Sequence, residues 1–251
     1  MINEAIINME EQYTFEEFDS FMKSMKKLSD ILRSKKPDYI FAPITGSIPL
    51  IDVLSIIDRH FPIENVEYPP NSSRFIEREE IMDKWLSNFI KKNYFGKPIS
   101  IVSVDEVISG SSVIKGANEF MKALYKIDSR EKSPIQKKIN YEILGIGEKP
   151  KSTQRNHGLS KLVNSNKLKV IETNRIITAD NILLNPLRLE RGEINRQGRQ
   201  TYLPQIHSLD YSAHYISLLQ NTANYFGVNL NNISLVNICK IKDSLDKYLS
   251  N

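Results

Sequence analysis

The stretch Ile101-Val-Ser-Val-Asp105-Glu106-Val107-Ile108-Ser109-Gly110-Ser111-Ser112-Val113 joins an apolar run, two adjacent acids and a Ser/Gly turn at the start of a helical pattern. Backbone N–H groups at a helix start lack intrahelical partners and attract anions. Gly110 admits close backbone approach, and Ser109, Ser111 and Ser112 add hydroxyl donors. Such a loop can hold one phosphate. Asp105 and Glu106 can accept hydrogen bonds from vicinal hydroxyls or touch a hydrated Mg²⁺. Together these features describe a receptor for a ribose 5-phosphate.

A second segment, Tyr39-Ile-Phe-Ala-Pro43-Ile44-Thr45-Gly46-Ser47-Ile48-Pro49-Leu50, has the same strand–turn–helix form. It precedes the acid pair by about 60 residues. Between the two lies the polar loop Tyr68-Pro-Pro-Asn-Ser-Ser-Arg74. In this order the motifs resemble type I phosphoribosyltransferases over about residues 35–147. The resemblance implies that Asp105 and Glu106 hold the ribose hydroxyls of phosphoribosyl pyrophosphate and touch Mg²⁺ through its water. It implies that Ser109, Gly110, Ser111, Ser112 and Val113 bind the 5-phosphate. Thr45, Gly46 and Ser47 would bind pyrophosphate, helped by Arg74 from the loop and by the basic stretch Arg188–Arg199. A base-selecting hood would fall within 176–202.

The loop after the acids departs from the family pattern. It reads Val-Ile-Ser-Gly-Ser-Ser, one residue shorter than Val-Ile-Ser-Thr-Gly-Gly-type loops, and Ser109 stands where 6-oxopurine enzymes carry an acid. The turn after the first strand lacks an Arg-Gly-Gly run. No base-specific class is matched. Two functions follow as expectations: phosphoribosyl transfer to a nitrogen nucleophile with release of pyrophosphate, or a non-catalytic nucleotide-sensing or interaction module, of the kind found in bacterial defence systems. Each motif alone also has a plain structural reading. Acids are favoured near helix starts, and Gly and Ser fill ordinary turns.

The elements that must position these residues alternate along the chain. Thr14 and Glu17 make a capping-box pattern ahead of a helical run through Leu32. Strands are expected at 38–43, 65–68, 99–104 and 141–146, with helices at 48–57, 76–95 and 111–127. This alternation predicts an α/β fold, a mainly parallel sheet flanked by helices, with a C-terminal hood and helical extension. Ligands of such sheets bind beyond the carboxyl ends of the strands. Residues 1–147 are expected to form the core, and 148–251 the remainder of the core, the hood and two helices at 209–226 and 232–249. A strand pair is expected at 167–171 and 175–178.

Composition bounds the rest. The 251 residues are 40% hydrophobic and 25% charged, which suits a packed globular core. No run reaches the roughly 18 apolar residues of a membrane helix. Cys239 is the single cysteine, so no internal disulfide framework exists. The four histidines have no metal-ligand spacing. The acidic start MINEAIINMEEQY has no leader-peptide character, which points to the cytoplasm. The net charge of +4 conceals an asymmetry, because residues 149–199 hold 11 basic and 4 acidic residues. That segment is expected to meet nucleic acid, a partner protein or a phosphate-rich ligand, or to be a solvated face. A homodimer is expected from the resemblance alone.

Overall fold

The computed structural model describes residues 13–44, 46–71, 75, 77–128, 135–148, 157–179, 187–194, 198, 200–206, 213–229 and 241. The helices are α1 (Phe15–Lys35), α2 (Ser47–Ile57), α3 (Arg78–Asn93), α4 (Ser111–Asp128), α5 (His157–Asn164) and α6 (Ala213–Phe226). The strands are β1 (Tyr39–Phe41), β2 (Val66–Glu67), β3 (Ile99–Val107), β4 (Ile139–Glu148), β5 (Leu168–Thr173), β6 (Leu187–Ile194) and β7 (Gln200–Ile206). Short 3-10 turns occupy Ile63–Asn65, Ile135–Lys137 and Ile177–Ala179.

Five strands form one sheet in the order β2-β1-β3-β4-β5, and every pairing is parallel. Strands buried on both faces read as continuous apolar runs, and β3 is buried along nearly its whole length. Successive residues of β3 serve opposite faces. Val102 and Val104 join Phe21, Met25, Leu50, Leu54 and Leu218 in the core beneath α1, α2 and α6. Ile99 and Ile101 join Phe41, Trp85, Phe89 and Phe120 beneath α3 and α4. There Trp85 and Phe89 stack at 5.5 Å, and both meet Phe41 edge-on. Val107 and Ile143 pack with Val113 of α4 and Leu159 of α5.

The expected α/β architecture is present, with a parallel core sheet between helices. The capping box of α1 forms as its spacing predicts: Thr14 Oγ1 accepts from Glu17 N–H, and Glu17 accepts from Thr14 N–H. The core extends past residue 147, because β4 runs to Glu148 and β5 adds the outer strand.

Two local expectations are corrected, and the basic stretch gains a structure. Residues 175–178 do not pair with β5. They lead into the 3-10 turn Ile177–Ala179, which Ile176 and Ile177 anchor by inserting into the core. The described part of the basic stretch, in Leu187–Ile194, pairs with Gln200–Ile206 as an antiparallel two-stranded sheet, β6–β7, separate from the main sheet. Finally, β3 continues to Val107, so the acid pair lies within the strand and not beyond it. Of the two closing helices, α6 is present and packs against α2. The expected helix over 232–249 lies outside the described residues, apart from Ile241, which is buried in the core.

Candidate functional site

The strand order reverses between β1 and β3. From β1 the chain moves outward to β2, then returns across to β3 on the other side. The carboxyl ends of two strands that diverge in this way leave a crevice between their loops, where α/β proteins bind ligands. Phe41 pairs with Ser103, so the turn after β1 rises level with Asp105 and Glu106. The two motifs separated in sequence therefore meet at the switch point.

The contact is direct. Ser47 Oγ, at the first position of α2, donates to Asp105 Oδ1 at 3.2 Å. Glu106 N–H donates to the same oxygen at 2.9 Å. Ser112, in the first turn of α4, also hydrogen-bonds Asp105. Gly46 stands over Glu106, whose Oε2 lies 3.1 Å from the place a Cβ on Gly46 would take. On its other oxygen, Glu106 accepts from Thr178 Oγ1 at 2.6 Å.

Both acids are buried, Asp105 at 5% exposure and Glu106 at 8%. A buried carboxyl is driven toward its neutral form unless hydrogen bonds or cations compensate. Burial pushes Asp105 up to about 7, against the pull of its bonds from Glu106 N–H, Ser47 and Ser112. Burial pushes Glu106 up to about 8; the Thr178 bond opposes this, and the neighbouring Asp105 adds to it. Burial also raises the Tyr141 phenol, which hydrogen-bonds Ser103 beside Asp105. A carboxyl poised in this way can accept or donate a hydrogen bond as its proton comes and goes.

Neighbouring strand residues project to opposite faces, so Asp105 and Glu106 do not close on one ion as a chelating pair. Among the described residues, no group of three or more His, Cys, Asp and Glu could hold a metal ion.

The Ser/Gly loop is built as a tight strand-to-helix turn. Gly110 takes φ +71°, where only glycine is unstrained. Its carbonyl accepts from Ile114 N–H and opens α4. The space its missing side chain leaves is filled by Leu159 of α5, 2.2 Å from an ideal Cβ. Close approach at Gly110 thus serves helix packing. Ser109 is exposed, and its Oγ accepts from Ser111 N–H at 3.4 Å. Ser111 is half-buried, and the Val113 side chain is part of the core. Thr45 and Arg74 lie outside the described residues, as do Lys149, Lys151, Arg155, Arg196 and Arg199 of the basic segment.

Sequence reasoning missed two supports. One is Thr178. The other is the pair Asn71 and Arg78. Asn71 Nδ2 donates to the Ser112 carbonyl at 3.2 Å, and its side-chain carbonyl accepts from the buried Arg78 guanidinium. Arg78 Nε also donates to the Asn71 carbonyl at 3.3 Å. Gly116 makes room for this arrangement, since a Cβ there would lie 2.5 Å from Asn71 Nδ2. The loop after β2 is thereby tied to the first turn of α4. The Pro-Pro-Asn pattern signals a loop but carries no sign of its partner.

Compared with family models, curated proteins and solved structures, the chain matches none. Among the described residues, no helix is long and apolar enough to cross a membrane.

Proposed function

We propose that the crevice between the ends of β1 and β3 binds a ribose 5-phosphate ligand of the phosphoribosyl pyrophosphate type. The observation that carries this reading is the meeting of the two motifs, Ser47 Oγ against Asp105 Oδ1 at 3.2 Å, at the point where the strand order reverses. The acids would read sugar hydroxyls. The Ser109–Ser112 turn at the start of α4 would take the 5-phosphate, and the Thr45–Ser47 turn the pyrophosphate, with Arg74 reaching in. Mg²⁺ would arrive on the ligand's phosphates and neutralise their charge.

In the catalytic form of this reading, a nitrogen nucleophile attacks the anomeric carbon. The new C–N bond forms as the C–O bond to pyrophosphate breaks. The electron pair leaves with pyrophosphate, and the proton on nitrogen passes to solvent. The chain's own contribution is positioning and stabilisation of the cationic sugar ring by carboxyl oxygen.

One observation favours the non-catalytic sensor or interaction module instead. The two acids are buried, Asp105 is bonded by the chain's own Ser47 and Ser112, and one oxygen of Glu106 is taken by Thr178. A ligand must displace or join these bonds, which suits a protein that reports occupancy. The basic 149–199 segment would then face a protein or nucleic-acid partner, and a second copy of the chain is a further candidate partner.

The deciding experiment follows pyrophosphate release from phosphoribosyl pyrophosphate with Mg²⁺ and a panel of bases. It is paired with calorimetric binding, for the wild type and the double variant Asp105→Asn, Glu106→Gln. Release that disappears in the double variant supports transfer. Binding without release supports the module. Absence of binding in the wild type overturns the site.

A further inference from the structure

Thr178 reaches Glu106 across 72 positions of sequence, from beyond the edge strand β5 to the central strand β3. Its turn, Ile177–Ala179, follows β5, while Glu106 lies on β3. The turn is held firmly. Ile176 and Ile177 are buried in the core under α1. Ile176 N–H donates to Glu148 Oε1 at 3.1 Å, and Ala179 N–H closes back on the Ile176 carbonyl at 3.2 Å. Thr178 itself is 1% exposed. A β-branched side chain has few rotamers, so the hydroxyl is pinned by its backbone.

The bond goes to Oε1, and the consequence falls on Oε2. With Oε1 tied to Thr178, the other oxygen, Oε2, stands against Gly46 of the turn after β1. Asp105 differs. Its Oδ1 serves Ser47 and Glu106 N–H, and Ser112 bonds it as well. Asp105 thus takes bonds from three groups of the chain, whereas the bond to Glu106 falls on Oε1 and leaves Oε2 beside the turn after β1.

We infer that Thr178 is a positioning residue for the sugar subsite, holding Glu106 so that Oε2 is the oxygen offered to a ligand hydroxyl. The inference rests on the reading of this crevice as a ribose 5-phosphate site. It assigns the segment after β5 a part in sugar recognition, whatever it does toward a base. It also makes sugar and phosphate recognition separable, because Thr178 touches neither the Ser109–Ser112 turn nor the Thr45–Ser47 turn through any bond to a described residue.

The test is calorimetric binding of ribose 5-phosphate and, separately, of inorganic phosphate to the wild type, Thr178→Val and Thr178→Ser. Valine keeps the branched shape and removes the donor; serine keeps the donor. The expected result is at least a tenfold loss of ribose 5-phosphate affinity in Thr178→Val, with phosphate affinity unchanged and serine restoring most of the loss. Equal ribose 5-phosphate affinity in wild type and Thr178→Val overturns the inference while leaving the site intact. Parallel loss of phosphate binding, or a serine variant as weak as valine, also overturns it, because a merely structural role behaves in that way. A wild type that binds neither compound overturns the site reading itself, and the inference with it.

Discussion

Oε2 of Glu106 lies 3.1 Å from the point where a side chain on Gly46 would begin. The turn after β1 and the acid on β3 are therefore fitted to each other, although they stand 60 residues apart. Gly46 has φ −63° and ψ −28°, a conformation any residue adopts. A Gly46→Ala change would carry no backbone penalty, and its whole effect would pass through the carboxyl, which must shift by a few tenths of an ångström. We expect weaker ribose 5-phosphate binding with a stability change within about 1 kcal/mol. Calorimetry and thermal melting measure the two separately. Unchanged binding would remove Gly46 from the site.

The buried acids make stability depend on pH in a definite direction. The folded values stand at about 7 for Asp105 and about 8 for Glu106, above the ordinary values of 3.8 and 4.5. Between those limits the folded chain holds more protons than the unfolded chain. Stability therefore falls as pH rises through that window. Below the ordinary values the contribution is fully present; above about 8 it is fully lost. The slope is on the order of 1 kcal/mol per pH unit for each group. Denaturation midpoints measured from pH 5 to pH 8.5 should fall in the wild type. They should be nearly flat in the variant Asp105→Asn, Glu106→Gln, which cannot ionise there. A wild-type slope equal to that of the variant would contradict the assignment.

Gly110 answers two demands at once, and they can be separated. Alanine at φ +71° costs roughly 1–2 kcal/mol in backbone strain. Its Cβ would also collide with Leu159, 2.2 Å away. Gly110→Ala should therefore destabilise by more than the backbone term alone. In the Leu159→Ala background the same change should cost only about the backbone term, a non-additivity expected of residues in contact. Urea denaturation of the four members of this cycle gives the coupling. Strict additivity would show that Leu159 does not fill the space.

Much of the frame was legible because it depends on local pattern. The short β-branched run Ile99–Val104, stopped by Gly96-Lys97-Pro98 on its N-terminal side, favours a buried strand. The Thr14–Glu17 spacing closes a hydrogen-bonded box within one turn. Gly110 at the strand–helix junction follows from its local geometry. The hairpin of β6 and β7 was not legible. Its basic residues mask a weak alternation, and pairing is set by the partner strand. The turn at Ile177–Ala179 read as a strand because Ile and Thr favour extended backbone. Burial of Ile176 and Ile177 overrode that preference.

The sequence alone determined which groups are available: an acid pair, a Ser/Gly turn and a second Gly-containing turn, each beside a strand. Only the tertiary structure decided what those groups face. The parallel order β2-β1-β3-β4-β5 sets Ser47 against Asp105 and Gly46 against Glu106, and it brings Thr178 from beyond β5 to the same carboxyl. It also buries both acids. That burial raises their pKa values through loss of water, a property no local spacing encodes, because desolvation depends on every element packed around the carboxyl and not on its neighbours in the chain.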